Sequence, residues 1–308
     1  MSGTLFCFGM GYTARALASR LRPRGWTVRG TARTAEGPDV AAFTRETPLP
    51  DPQRSLADVT HMLVSVPPDD MRHDVDAMRH DVDDPVIAMH GDDIATAAAS
   101  LRWIGYLSTT GVYGDRQGGM VDETTEPRPS GARGARRVAA EAAWRALGER
   151  TGVTVDVFRL AGIYGPGRSA FDALRAGRAR RLVRKGQVFS RIHVDDIAAV
   201  LDAAMARPAA GGRVWNVCDD EPAPPGDVIE YAARLLGIAP PPEEPFETAT
   251  GLSEMARSFW AENRRVSNAR IKAGLGVTLL YPTYREGLAA ILAAERSPSP
   301  PPGAERAG

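Results

Sequence analysis

A glycine turn set between two apolar runs constrains this chain more than any other feature. Residues 5–33 read LFCFGMGYTARALASRLRPRGWTVRGTAR. Leu5, Phe6, Cys7 and Phe8 form a short apolar run suited to a strand buried on both faces. Gly9-Met10-Gly11-Tyr12-Thr13-Ala14 follows at once and fits G-x-G-x-x-[G/A]. Gly9 allows a sharp turn, Gly11 lets backbone approach a pyrophosphate, and Ala14 is small enough for a helix to pack on the strand. The helix carries Ala16, Leu17 and Leu21 on one face, stops at Arg22-Pro23-Arg24-Gly25, and leads to a second strand from Trp26. Its free N–H groups and positive dipole end would face a phosphate. This predicts an α/β chain, a Rossmann-type doubly wound parallel sheet, with Gly9, Gly11, Tyr12, Thr13 and Ala14 against a dinucleotide.

The end of the second strand reads the ribose. Sites for NAD usually place an acid about 20 residues beyond the glycines, where it grips the ribose hydroxyls. Here the segment is Val28-Arg29-Gly30-Thr31-Ala32-Arg33-Thr34, and the first acid is Glu36. Arg33 stands where a guanidinium can pair with a 2′-phosphate. The expected cofactor is NADP, with NAD as the alternative. Further on, His61-Met62-Leu63-Val64-Ser65-Val66 reads as another buried strand, and in a doubly wound sheet its end, Val66 and Pro67, lies over the cofactor.

Composition removes several function classes. The 38 basic and 38 acidic residues cancel, so no long-range field argues for nucleic acid or an anionic membrane. No apolar run approaches membrane-spanning length. The two cysteines, Cys7 and Cys218, are far apart and suggest a reducing, cytoplasmic setting. The N-terminus enters a strand with no basic leader, so no signal peptide is expected. At 308 residues the chain has room for a Rossmann domain over 1–165, with a core strand and helix also from 192–218. A smaller substrate-binding lobe would take 166–191 and 219–296, leaving a disordered tail at 297–308. A monomer or homodimer is expected.

One oddity is a tandem heptad, MRHDVDA then MRHDVDD, over residues 71–84. On a helix His73 and His80 would be separated by about 10.5 Å of rise, too far to share one ion with Asp74 and Asp81. A duplicated surface turn is the expectation, and no metal site. The block 171–191 is unusually rich in arginine. With Arg168 and Arg191 it suggests an anionic small-molecule substrate, although an exposed basic face would look the same.

The glycine turn, LSTTGVYGD, RLAGIYGPGR, RIHVDDIA and WNVCDDEP occur in that order over about residues 5–240. Together they resemble the extended and atypical short-chain dehydrogenase/reductases, the NAD-dependent epimerase/dehydratase superfamily, and most of all its YeeZ-like atypical branch. The resemblance implies an NAD(P)-binding Rossmann domain with a C-terminal lobe closing over substrate. It also implies a catalytic Ser/Thr, a Tyr, and a Lys four residues after that Tyr. Thr109 falls at the Ser/Thr position. Counting back from Glu141 puts Arg133 at the Tyr position and Arg137 at the Lys position. The only lysines are Lys185 and Lys272, neither four residues after a Tyr. Phe8 also replaces the first glycine of the usual G-x-x-G-x-x-G.

A guanidinium has no acceptor and stays charged. Deprotonating one at pH 7 costs about 8 kcal/mol, for roughly six pKa units at about 1.36 each. Arg133 is therefore expected to bind an anion or stabilise developing negative charge, with Arg137 one turn away on the same helix face. Tyr113, Asp115, Glu123 and His193 are the other candidates for a proton donor, each with an ordinary structural alternative. Two functions stay open: an NADP(H)-dependent oxidoreductase or epimerase lacking the usual Tyr/Lys pair, or a non-catalytic, redox-sensing or assembly protein that binds NADP(H).

Overall fold

The computed structural model describes residues 2–68, 84–209 and 211–296. The chain begins β1 (Thr4–Phe8), α1 (Tyr12–Leu21), β2 (Thr27–Ala32), β3 (Val40–Ala42), α2 (Pro52–Leu56) and β4 (His61–Val64). It continues through α3 (Pro85–Thr96), β5 (Trp103–Thr109), β6 (Met120–Val121), α4 (Ala132–Thr151), β7 (Thr154–Leu160) and β8 (Gly162–Tyr164). Next come α5 (Ala170–Arg175), β9 (Arg181–Val183), β10 (Arg191–His193), α6 (Val194–Met205) and β11 (Val214–Val217). The last elements are α7 (Pro225–Leu236), β12 (Glu243–Pro245), α8 (Glu254–Trp260), β13 (Arg265–Val266), α9 (Ala269–Leu275) and α10 (Tyr284–Arg296).

Seven strands form one parallel sheet in the order β11-β7-β5-β4-β1-β2-β3. The chain winds outward from β1 in one direction and returns to β4 on its other side. The order therefore reverses between β1 and β4, where open α/β sheets bind ligands. Alternation along each strand feeds two cores. In β1, Leu5 and Cys7 join Leu17, Leu21, Ile197 and Leu201 of α1 and α6 on one face. Phe6 and Phe8 join Ile94 and Trp144 of α3 and α4 on the other. Phe8 is thus a core residue at the end of β1, which accounts for a bulky side chain where the resemblance expects glycine.

A third cluster, with Phe171, Val228, Tyr284, Leu288 and Ile291, holds α5, α7 and α10 together as the lobe. The segment 265–279 packs against the α1/α6 core rather than into that cluster. Strand β13 pairs with β6, and Ile271, Leu275 and Leu279 enter the α1/α6 core. The stretch 34–58, which reads as irregular, contains β3 and α2.

His73, Asp74, His80 and Asp81 of the heptad repeat lie outside the described residues, as does the 297–308 tail. The repeat's last residue is described, and it is not a free surface turn. Asp84 is buried, caps α3 by accepting from Val86 N (3.0 Å) and Ile87 N (3.1 Å), and accepts from Trp144 Nε1 at 3.0 Å. Among the described residues no group of three or more His, Cys, Asp or Glu is placed to hold a metal ion. No described helix is long and apolar enough to cross a membrane.

Candidate active site

A cleft of about 730 Å³ opens at the carboxyl ends of the strands. Its first wall is the glycine turn. Gly9 has φ +93°, a left-handed conformation that a side chain disfavours, and a Cβ there would stand 2.5 Å from Ser65 Oγ. The turn is tied to the end of β2: Gly9 N donates to Thr31 Oγ1 (3.1 Å) and Met10 N to Thr31 O (2.6 Å). Ser65 Oγ donates to Gly9 O at 2.5 Å from the end of β4. Gly11 opens α1 with no side-chain cap and no acid in the first turn. A Cβ on Gly11 would meet nothing within 4 Å. The first N–H groups of α1 therefore lack a side-chain partner and face open space, the arrangement that receives a phosphate. Ala14 is fully buried against β1, as its size requires.

Gly11, Tyr12, Thr13 and Ser65 line the cleft. Sequence reasoning passed over Ser65 and favoured Val66 and Pro67. Val66 packs beside Gly9, and neither it nor Pro67 is among the lining residues. Arg33 stands one residue past β2, exposed and without a hydrogen-bond or carboxylate partner among the described residues, outside the cleft lining. The nearby acid, Glu36, is paired with Arg15.

The opposite wall is the end of β5 and the start of α4. Thr109 lines the cleft and its Oγ1 accepts from Gly111 N at 3.1 Å. Helix α4 starts at Ala132, so Arg133 and Arg137 both belong to it, one turn apart, and both line the cleft. They are not equivalent. Arg137 Nη1 donates to Leu107 O (2.7 Å) and Tyr106 Oη (3.1 Å), which fixes it to β5. Arg133 is exposed, and its guanidinium lies 5.5 Å from the centre of the Phe259 ring. Beneath them a buried ionic cluster anchors α4 to the sheet. Glu141 accepts from Ser108 Oγ (2.6 Å), Arg159 Nε (3.1 Å) and Arg159 Nη2 (2.8 Å).

None of the four alternative proton donors lines the cleft. Tyr113 is fully buried, donates to Asn216 Oδ1 (2.8 Å) and accepts from Arg159 Nη1 (3.0 Å), and burial raises its pKa. Asp115 Oδ1 accepts from Gln117 N (3.0 Å) and Asn263 N (2.8 Å). Glu123 accepts from Asn216 N at 2.8 Å. His193 caps α6, accepting from Asp195 N at 3.2 Å between the rings of Tyr164 and Tyr281, and burial lowers its pKa. Of the two lysines, Lys272 pairs with Asp220 at 2.5 Å and Lys185 is exposed; neither lines the cleft.

The third wall comes from the lobe and has no local signature in sequence. Phe259, Trp260, Glu262 and Arg264 reach the cleft because β13 pairs with β6 and carries α8 across the opening. Arg264 Nη1 donates to Glu262 Oε2 (2.6 Å) and Gly114 O (2.8 Å). The lining thus carries Arg133, Arg137, Arg168, Arg191 and Arg264 against the single carboxylate of Glu262. That excess of positive charge suits an anionic ligand.

Comparison with known proteins agrees with this architecture. A model of the NAD dependent epimerase/dehydratase family matches residues 9–218. The chain is 30% identical to protein YeeZ of Escherichia coli K12 over 249 residues, which is 76% of this chain and 84% of YeeZ. The structure of a functionally unknown conserved protein from Silicibacter pomeroyi is 50% identical, with a TM-score of 0.82 over 96% of this chain and 100% of that one. At the level of fold alone, MoeE5 in complex with UDP-glucuronic acid and NAD superposes with a TM-score of 0.74 at 19% identity, over 96% of this chain and 99% of that one.

Proposed function

The chain belongs to the NAD-dependent epimerase/dehydratase family, and on that premise we propose that it is an NADP(H)-dependent oxidoreductase or epimerase acting on a small anionic substrate without the usual Tyr/Lys pair. The observation that carries the reading is the bare N-terminus of α1, where Gly11 leaves the first N–H groups uncapped beside open space. Those groups, with Tyr12 and Thr13 alongside, would hold the pyrophosphate, and Arg33 would take a 2′-phosphate beyond the end of β2. When bound, the nicotinamide supplies or accepts a hydride.

The remaining work falls to this chain's side chains. Thr109 Oγ1 already accepts from Gly111 N, so its own O–H is left to donate to a substrate oxygen. Arg133 cannot shuttle a proton, but its fixed charge stabilises negative charge developing on that oxygen. Arg137, held by Leu107 O and Tyr106 Oη, fixes the start of α4 to β5 and so positions Arg133. Phe259 and Trp260 form the lobe side of the cleft. A proton that must be exchanged would come from solvent or substrate.

A second reading is favoured by one observation: Tyr113, Asp115, Glu123 and His193 all lie outside the cleft lining. Under it the protein binds NADP(H) without turnover, as a redox sensor or assembly factor. NADPH oxidation across a panel of carbonyl compounds and nucleotide sugars separates the two. Turnover lost in Thr109→Val and in Arg133→Ala supports the enzyme. Tight NADPH binding with no turnover across the panel supports the second reading.

A further inference from the structure

Seven arginines lie between residues 168 and 191, and the lobe sorts them. Arg175 pairs with Glu295, Arg180 with Glu244, Arg181 with Glu230 and Glu243, and Arg184 with Glu247. These four bind α5, β9 and the segments around them to acids on α7, α10 and the β12 region. The other three, Arg168, Arg178 and Arg191, have no carboxylate in ion-pair range among the described residues. All three line one cavity of about 440 Å³, walled by Tyr164, Val228 and Leu288 between β8, β10, α5, α7 and α10. The cavity adjoins the coenzyme cleft, and Tyr164, Arg168 and Arg191 line both.

The cavity sets three guanidinium groups against one carboxylate. Its single lining carboxylate, Asp172, already accepts from Ser169 N (2.7 Å) and Ser169 Oγ (2.9 Å) at the start of α5. Arg191 is held by carbonyl dipoles rather than by an acid: Nη1 donates to Phe189 O (2.8 Å) and Ala223 O (3.0 Å). Asp219 acts on it through space without an ion-pair contact, and burial pushes that carboxyl up to about 8. A cation kept from water without an anion is costly, and burial pulls the Arg191 pKa down accordingly. Three unpaired arginines thus line one cavity, Arg168 and Arg178 exposed and Arg191 half-buried, while their four neighbours are each matched with glutamate.

We propose that this lobe cavity binds an oxyanion, a phosphate or carboxylate group, held by Arg168, Arg178 and Arg191. The group is either the distal end of a substrate whose reacting end sits by Thr109, or a free anion. The wall of Tyr164, Arg168 and Arg191 shared with the cleft sets the two cavities side by side.

The test is calorimetric titration of the full chain with inorganic phosphate and with malonate, at ionic strength fixed by chloride, with and without saturating NADPH. Saturable binding of either anion is expected, retained under NADPH and weakened about tenfold or more in Arg178→Ala. Arg178 is exposed and unpaired, so this variant keeps the fold, and Arg178→Lys should recover part of the affinity. If glucose 6-phosphate binds more tightly than phosphate and loses that gain in Arg133→Ala, the anion is the end of a ligand spanning both cavities. Equal affinities make it a free anion; either result keeps the site. Binding displaced by NADPH and indifferent to Arg178→Ala would place the anion at the glycine turn and overturn the proposal, as would no saturable binding. Phosphate binding in a protein that ignores NADPH would sink the proposed coenzyme and leave this site standing.

Discussion

Two helix N-termini, those of α1 and α4, open into the same cleft and are built in opposite ways. Neither has a side-chain cap, and neither has an acid in its first turn. Helix α1 is made of absences: Gly9 permits the turn, Gly11 leaves space, and Ala14 lets the helix close on β1. Helix α4 is made of charge, with Arg133 and Arg137 facing the cleft and Glu141 gripping Arg159 and Ser108 below. The first end offers backbone, which any nucleotide phosphate can use. The second offers side chains, whose identity decides chemistry. On the proposed reading, generic binding belongs to one wall and specific reactivity to the other.

The comparison can be broken first at the charged helix. Glu141 and Arg159 are 1% and 3% exposed, so removing one partner leaves a buried charge uncompensated. Glu141→Ala should cost about 3–5 kcal/mol in chemical denaturation. A loss below about 1 kcal/mol would mean that α4 is held by packing instead. At the glycine helix the expected effect falls on binding rather than stability. Gly11 has the extended backbone of an N-cap, with room for a side chain. Gly11→Asp should cap α1, leave stability within about 0.5 kcal/mol, and weaken NADPH binding about 100-fold through charge repulsion. Unchanged affinity would show that the phosphate lies elsewhere.

The two arginines of α4 should then separate. Arg133→Ala should weaken binding of an anionic ligand by about 1.5–3 kcal/mol and leave the melting temperature alone, since Arg133 is exposed. Arg137→Ala should do the reverse, costing about 1–2 kcal/mol of stability because Leu107 O loses its donor. Identical effects of the two substitutions on affinity and its salt dependence would remove the distinction.

The same contrast sets how much sequence could tell. The sheet, the turn and the fingerprint helix were legible because backbone constraints leave glycine and apolar spacing in adjacent residues. Thr109, Arg133 and Arg137 could be aligned by resemblance and do meet in one cleft. The tie of Arg137 to Leu107 O could not be read, because it joins residues 30 apart in sequence. Phe259, Glu262 and Arg264 were missed for the same reason, since only the β6–β13 pairing brings them in. The arginine block looked uniform as sequence. Its division into paired and unpaired members depends on glutamates at 230, 243, 244, 247 and 295. Asp84 looked like the last letter of a surface repeat and is a buried cap.

On the reading proposed above, the bare end of α1 and the unpaired Arg33 together hold NADP(H). Calorimetric titration of the protein and of Arg33→Asp with NADPH and NADH tests it most directly. Arg33 is exposed and unpartnered, so the substitution leaves the fold intact. NADPH should bind at least about tenfold more tightly than NADH, the scale of one charged hydrogen-bonding pair, and Arg33→Asp should abolish the preference. Equal affinities in the unaltered protein, or a preference that survives Arg33→Asp, would contradict it.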